Sequence, residues 1–492
     1  MTRPLSARWQ APRSRQSPGP SPLATPRTDG YTPTVPPRPG DILELRIDTL
    51  AYGGQGVARD HDFVVFVRGA APGDVVRAQI TRRRQRHAEA RLLEIIAPSP
   101  ARVPAPCAHA ETCGGCEWQT LGYATQLEFK QRQVVESLEH IGGLRDFALE
   151  PIAGMDDPWR YRNKMEFSFA EDDGRLVLGL HRRGSWRDVV ETSDCLLASA
   201  RMNGARQAVV DACRALGLRA YDRGAGRHET PRGLLRHLVV RETTCGDLAV
   251  HLFVATRFPE EAALAERVVA ACGATAFAVT VNASRADAAV GDGPHMIAGE
   301  PYLTERLAGV ELAVPFTAFL QTNAAMCEVL YATALRFAAA DPRRDAYDLY
   351  CGIGSLSLPL ARGAAQVHAI EIQEQAIAAA RANARRNAIA NVDFRAGDVR
   401  RLLKEALAAP DSAPPAVVVA DPPRAGMARK ALQRAAALHA ERFVYVSCNP
   451  TTLAGNGAEL RDLGYRLACV APVDMFPQTH HVETVALFLR EE

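Results

Sequence analysis

Asp345-Ala346-Tyr347-Asp348-Leu349-Tyr350-Cys351-Gly352-Ile353-Gly354-Ser355 is the stretch on which the fold turns. Asp345 to Tyr350 has the length of one short strand, and the residues after Ser355 turn helical and apolar. A glycine-rich turn between strand and helix lets a ligand approach the backbone closely, at the carboxyl edge of an open α/β sheet. A dinucleotide fingerprint would need glycine at 357, where Ser357 stands. Outward from this turn, Gln366 to Glu371 reads as a second strand, its terminal acid 17 residues after Gly354. Val392 to Asp398 reads as a third strand, again ending in an acid, and Ala416 to Ala420 as a fourth, closed by Asp421-Pro422-Pro423-Arg424. Phe443 to Val446 is the fifth and stops at Ser447-Cys448-Asn449-Pro450, whose Asn and Pro favour a turn. One acid at a strand end is usually a helix cap. Three in succession after a glycine-rich turn mark a ligand-binding edge.

Composition bounds the rest. The 492 residues suit two to four domains, and 47% hydrophobic content allows sizeable cores. No run approaches the ~18 apolar residues of a membrane helix, and the N-terminus has no apolar h-region of a secretory signal. Eleven cysteines, an odd number, argue against a disulfide framework and for a reducing cytoplasm. The net charge of +2 hides an asymmetry: residues 1–40 carry +5, leaving −3 for the remainder. That tail, rich in Pro, Ser, Thr and Arg, reads as disordered.

Residues 41–99 have a β texture. Ile42 to Ile47, Phe63 to Val67, Val75 to Ile80 and Ala90 to Ile96 are strand candidates separated by Gly53-Gly54, Arg59 to Asp62 and Ala71-Pro72-Gly73-Asp74. Four or five short strands predict a small OB-like β-barrel, with the basic run Arg82 to Arg86 placed to track phosphates. Residues 100–315 follow as a central α+β domain. It opens with Cys107, Cys113 and Cys116, spaced C-x5-C-x2-C around two glycines. Three clustered thiols favour a metal site, and Cys195 is the best fourth ligand, with His109 as an alternative. Zinc and an iron–sulfur cluster both suit such thiolates. A helix is predicted over 120–145, with apolar positions suited to packing on the catalytic domain. Trp159-Arg160-Tyr161-Arg162-Asn163-Lys164 interleaves aromatics with cations, a mix suited to stacking on bases and pairing with phosphates. Residues 316–492 form the catalytic domain, entered through Phe316 to Asn323 and closed by Asp474 to Phe488, where Glu483 stands at the mouth of the last strand behind His480 and His481.

The form Asp348 to Gly354 resembles the first motif of class I, Rossmann-like methyltransferases, and Tyr52 to Gly56 with Ala71 to Asp74 resembles a TRAM domain, an RNA-binding module. Gln321 with Asn323, Asp421 to Arg424, Ser447 to Pro450 and His480 to Val485 are together similar to the RNA uracil-5-methyltransferases over about residues 40–492. With the TRAM-like segment and the cysteines, the combination resembles the ribosomal branch of that family. The resemblance implies S-adenosylmethionine as donor, held by Gln321, Tyr350, Ser355, Glu371, Asp398 and Asp421, and a [4Fe-4S] cluster on Cys107, Cys113, Cys116 and Cys195. It also implies 23S ribosomal RNA as substrate and a monomer as the working unit. Ser355 stands where Asn can stand in the family. Carbon 5 of uracil is a poor nucleophile, so a thiolate must first add at carbon 6 and a base must later take the carbon 5 proton. Cys448 is the expected nucleophile and Glu483 the expected base. Three rivals are a transfer RNA uracil-5-methyltransferase, an N-methyltransferase, which has no use for Cys448, and a non-catalytic RNA-binding protein, which has no use for a donor pocket.

Overall fold

In a computed structural model, the described residues are 37–61, 63–222, 232–284, 288–408 and 413–491. Residues 1–36 of the basic tail therefore lie outside them. Alternating burial organises the first five strands, β1 (Ile42–Leu50), β2 (Gly56–Asp60), β3 (Phe63–Arg68), β4 (Val75–Arg83) and β5 (His87–Ala97). They close a barrel in the order β1-β2-β3-β5-β4, filled by Leu45, Ile47, Val65, Val67, Val76 and Ile80. This is the OB-like expectation met, with β2 as a strand its polar sequence had concealed. The Ala71 to Asp74 turn has its own cause: the buried Asp74 carboxylate accepts from the Ala71 and Ser99 amides, at 2.6 and 2.8 Å, and from Arg102.

Helix α1 (Tyr123–His140) and the two-residue strand β6 (Ala148–Leu149) come next. A seven-stranded sheet then forms from β7 (Lys164–Asp172), β8 (Arg175–His181), β9 (Val189–Glu191), β10 (Leu235–Glu242), β11 (Leu248–Val254), β12 (Ala276–Val281) and β13 (His295–Ala298), in the order β13-β12-β11-β10-β7-β8-β9. Helices α2 (Ala200–Ala215) and α3 (Glu261–Cys272) cover it. A hairpin, β14 (Tyr302–Leu307) and β15 (Val310–Pro315), leads to helix α4 (Ala324–Ala338), which Asn323 caps by accepting from the Met326 amide at 3.2 Å.

The last sheet contains β16 (Ala346–Leu349), β17 (Val367–Glu371), β18 (Val392–Ala396), β19 (Val417–Ala420), β20 (Arg442–Ser447), β21 (Tyr465–Val473) and β22 (Glu483–Arg490). Its order is β18-β17-β16-β19-β20-β22-β21-β6, parallel from β18 to β20, with β22 antiparallel to both its neighbours. The chain first builds β17 and β18 on one side of β16 and then crosses to β19 on the other. The glycine-rich turn thus sits at the switch point, where such sheets bind ligands. Helices α5 (Ser357–Ala361), α6 (Glu374–Arg386), α7 (Val399–Leu407), α8 (Arg429–Ala436) and α9 (Pro450–Asp462) make the connections.

The apolar cores do not follow a single cut of the chain. Val134 and Leu138 of α1 are buried with Leu453 and Leu460 of α9 and Phe488 of β22, and Leu307, Val310, Leu312 and Val314 of the hairpin also belong to catalytic cores. β6 adds a parallel strand at that sheet's far edge. Lys130 of α1 reaches Asp474 at 2.6 Å, both side chains fully buried. Among the described residues no helix is long and apolar enough to cross a membrane.

Candidate active site

Each of the five neighbouring parallel strands β16 to β20 delivers one expected residue to the same edge. Tyr350 follows β16, Glu371 ends β17, Asp398 follows β18, Asp421 follows β19 and Cys448 follows β20. β20 and β22 are paired with Ser447 opposite Thr484, so one antiparallel step further sets Cys448 across from Glu483. Cys448 lies half-buried between Ser447 and Asn449, the cap of α9. The Asn449 amide and the Thr452 hydroxyl both donate to the Arg424 carbonyl, each at 3.3 Å, which ties the Asp421 to Arg424 loop to the cysteine turn.

Electrostatics single out the same groups. Burial pushes the Cys448 thiol up to about 11, with Glu483 and Asp421 adding to the rise and Arg424 opposing it. Burial also pushes Asp421 up to about 7 and Glu483 well above the usual carboxylate range, the latter reinforced by Asp421. The Glu483 Oε2 atom is buried without a hydrogen-bond partner among the described residues. A buried, unpaired carboxyl facing a thiol is costly to keep and is the kind of group a reaction uses. His481 is pulled down to about 4 by burial, then by His480 and Arg424. His480 bonds Glu117, and among the described residues no third ligand joins the two histidines.

Around the glycine-rich turn, Tyr350 adopts a positive φ of 68° and the Gly354 φ is 83°, with a Cβ there set to meet the Phe394 ring at 3.2 Å. The Glu371 carboxylate accepts from the Gly352 amide at 3.3 Å. Asp348 is fully buried, pushed up to about 7 by burial, and receives the Ser357 hydroxyl at 2.5 Å. Position 357, where glycine is missing, therefore holds the base of the turn together. Ser355 is engaged by Tyr331 at 2.8 Å. Asp398 caps α7 and accepts from Arg400, so part of its capacity is already used in structure. Gln321 is buried, and Asn163 donates to its carbonyl at 3.0 Å. Two residues before it, Phe319 is 73% exposed, an open face for stacking.

The stretch Trp159 to Lys164 is largely built into the protein. Arg160 pairs with Asp194, the buried Tyr161 donates to the Pro477 carbonyl at 2.9 Å, and Asn163 braces Gln321. Its other end meets the cysteines. Cys107, Cys113, Cys116 and Cys195 line one cavity together with Trp159, Leu180 and Leu197. The Gly115 amide lies 3.4 Å from the Cys113 sulfur and the His109 amide 3.4 Å from Cys107. His109 turns its ring to Ser193 at 3.2 Å and is not among the lining residues. Among the described residues no three His, Cys, Asp or Glu side chains converge closely enough to hold a single metal ion. The four sulfurs thus share a cavity without the tight tetrahedron that one zinc imposes.

Sequence reasoning gave no role to Arg424, Tyr52 or Lys130. Arg424 and Tyr52 lay inside quoted motifs without an assigned partner. Lys130 had a signal: it shares the buried face of α1 with Gln126, Gln133 and Ser137, more polar groups than a plain apolar core accepts.

A family model described as tRNA (uracil-5-)-methyltransferase matches residues 302–491, and a TRAM domain model matches residues 37–93. An uncharacterised RNA methyltransferase of Halalkalibacterium halodurans is 36% identical over 92% of this chain and 98% of its own. One from Gloeobacter violaceus is 38% identical over 92% and 99%. Among solved structures, the Pyrococcus abyssi tRNA (uracil-54, C5)-methyltransferase in complex with S-adenosyl-L-homocysteine is 25% identical, with a TM-score of 0.72 over 91% of this chain and 99% of that one. The chain therefore belongs to the RNA (uracil-5-)-methyltransferases, enzymes here built from a TRAM domain and a methyltransferase fold.

Proposed function

We propose that the protein methylates carbon 5 of a uridine in RNA through a covalent intermediate on Cys448, with S-adenosylmethionine as donor. The carrying observation is the Cys448–Glu483 pair, a half-buried thiol opposite a buried carboxyl with an unpartnered oxygen. The donor supplies an electrophilic methyl group on a sulfonium. Tyr350, Glu371 and Asp421, with Gln321, Ser355 and Asp398 at the rim, would hold it at the switch point. Asp421, raised to about 7 when alone, gains its charge beside a cation.

Cys448 loses its proton and adds to carbon 6 of the extruded base, and the ring becomes an enolate. Carbon 5 then takes the methyl group as the methyl–sulfur bond of the donor breaks, its electron pair staying on sulfur as a neutral thioether. Glu483 removes the carbon 5 proton, the electron pair re-forms the 5,6 double bond and the thiolate leaves. Arg424 is the cation beside Cys448 that favours its ionised form. A Glu raised by burial is matched to proton transfer near neutral pH better than an exposed one.

Cys107, Cys113, Cys116 and Cys195 would hold a [4Fe-4S] cluster, whose chemistry here is a rigid cross-link between loops. All four cysteines line one cavity, with backbone amides near the sulfurs of two of them, and four thiols around one apolar space are the donor set that such a cluster takes. The bound group would fix Tyr161 to Asn163, and through Asn163 the Gln321 loop.

Large-subunit ribosomal RNA is the proposed substrate, on the resemblance carried by the TRAM segment and cysteines. Transfer RNA is the second reading, favoured by the similarity to the Pyrococcus abyssi tRNA enzyme over nearly the whole of both chains. Mass mapping of 23S ribosomal RNA and transfer RNA from cells lacking the protein separates them: 5-methyluridine should vanish from one RNA and return on complementation. A loss from neither would refute the activity.

A further inference from the structure

The barrel touches the catalytic edge through the loop between β1 and β2, Ala51 to Gln55. The loop is closed by the Ala51 amide on the Gln55 carbonyl at 2.8 Å and the Gly54 amide on the Ala51 carbonyl at 3.0 Å. Gln133 of α1 donates to that same carbonyl at 3.2 Å. Gly54 has a φ of +83°, and a Cβ there would stand 3.2 Å from Glu117 Oε2, Trp118 Nε1 and His480 Cβ. Only glycine lets this loop lie flush on the segment that carries Glu483.

This seating brings Tyr52 over the active site. Its ring meets His480 edge-on, with centroids 6.3 Å apart at 90°. Burial raises the phenol above its ordinary range; Arg424 draws it down, and Cys448 and Glu483 push it up, so all three catalytic-edge groups surround it. The phenolic oxygen is buried, and Arg424, the polar side chain that hydrogen-bonds toward it, can only donate, so no acceptor takes up the phenol O–H among the described residues. A buried hydroxyl whose proton has no acceptor is costly to keep. No packing demand explains it, because phenylalanine would fill the same space.

We propose that Tyr52 belongs to the target-nucleotide site: its hydroxyl hydrogen-bonds the uridine held between Cys448 and Glu483, so the RNA-binding barrel contributes a substrate contact to catalysis. The inference rests on the reading that Cys448 and Glu483 act on a uridine. A protonated phenol donates to a ring carbonyl, and thiolate addition at carbon 6 places negative charge on such an oxygen. A hydrogen bond that strengthens as charge develops accelerates the step and does more than add affinity. The barrel would then report its own docking to the reaction centre.

The test uses the full chain, radiolabelled S-adenosylmethionine at saturation and bulk RNA from cells lacking the protein. Tyr52→Phe should keep its melting temperature within a few degrees, since it removes a hydroxyl whose proton has no acceptor. Its kcat at saturating RNA should fall on the order of 10- to 100-fold, and adduct formation with 5-fluorouridine RNA should slow in step. Tyr52→Ala should be no better. An unchanged kcat for Tyr52→Phe, whatever its KM, overturns the inference. Cys448→Ala in the same assay keeps the two ideas apart: if it methylates normally the catalytic reading fails, whereas an inactive Cys448→Ala beside a fully active Tyr52→Phe removes Tyr52 alone.

Discussion

Burial raises the thiols of both cysteine regions, Cys448 to about 11 and Cys116 to about 12, yet their neighbours differ in kind. Around Cys448 stand two raised carboxyls, Glu483 and Asp421, and one cation, Arg424. Around Cys116 stand Cys195, Cys113 and Cys107, with Arg162 as the opposing cation and an apolar cavity between them. A lone thiol among carboxyls and a cation has partners for proton transfer and for its ionised form. Four thiols sharing a cavity repel one another once ionised, so they stay protonated unless a bound cationic centre offsets that repulsion. The same residue type thus serves as proposed nucleophile in one place and proposed ligand in the other, and the surrounding charges decide which.

The strongest way to break this contrast is at the nucleophile. Cys448→Ala should abolish methylation, a loss on the order of 10⁴-fold or more. Glu483→Gln should let the methyl arrive and then stall, so that a denaturation-resistant RNA–protein band carrying the donor's methyl accumulates. The double variant should show no band. Normal turnover by Glu483→Gln would move the base role elsewhere.

At the other pole, anaerobically purified protein should be brown and contain iron and sulfide. Cys195→Ser should lose or destabilise them, while His109→Ala should not. One zinc without sulfide would keep the ligands and discard the cluster.

The third test concerns what joins the two regions. Lys130→Met leaves the buried Asp474 without its cation and should destabilise the protein by about 3–5 kcal/mol in denaturant melts. A loss below about 1 kcal/mol would mean that the Tyr123 and backbone bonds to Asp474 suffice.

A smaller effect sharpens the electrostatics. Asp421 has a folded pKa of about 7, above its unfolded ~3.9. Between those values the folded state keeps a proton that the unfolded state has released. The linked stability is full below the unfolded value and is lost as pH rises through the folded one. From pH 5 to 7, the unliganded protein should lose about 1 kcal/mol per pH unit relative to Asp421→Asn. Parallel profiles for the two proteins would show that Asp421 ionises normally. The smallest change is expected at the exposed Arg82 to Arg86 run. Replacing these arginines by Gln should weaken RNA binding severalfold and flatten its salt dependence, by a little under one unit of slope for every phosphate that is no longer neutralised. An unchanged slope would leave the run as a solvated turn.

Much of the fold could be read along the chain because its signals are local. The five parallel strands were legible as short apolar runs ending in Gly, acid or Cys, and Asn323 as a helix cap. β2 was not, since Arg59-Asp60 reads as a turn until the barrel pairs it with Val64 and Phe63. α1 was legible as a helix, but the depth of its partners was not, because Lys130 and Gln133 look like solvent-facing residues until Asp474 and the Ala51 carbonyl meet them.

By itself, the sequence determined the chemistry that each strand end carries: a thiol after β20, an acid beginning β22, a glycine-rich turn after β16 and four cysteines in the loops around the central sheet. Residue type and spacing are local properties and survive without a fold. Only the tertiary structure decided who faces whom. Antiparallel pairing that ends at Ser447 and Thr484 left Cys448 and Glu483 at one edge, the seating of a barrel loop put Tyr52 beside Arg424, and burial raised Asp421, Asp348 and Glu483 together. Those outcomes depend on desolvation and on charges brought near from distant parts of the chain, and neither exists until the chain has folded.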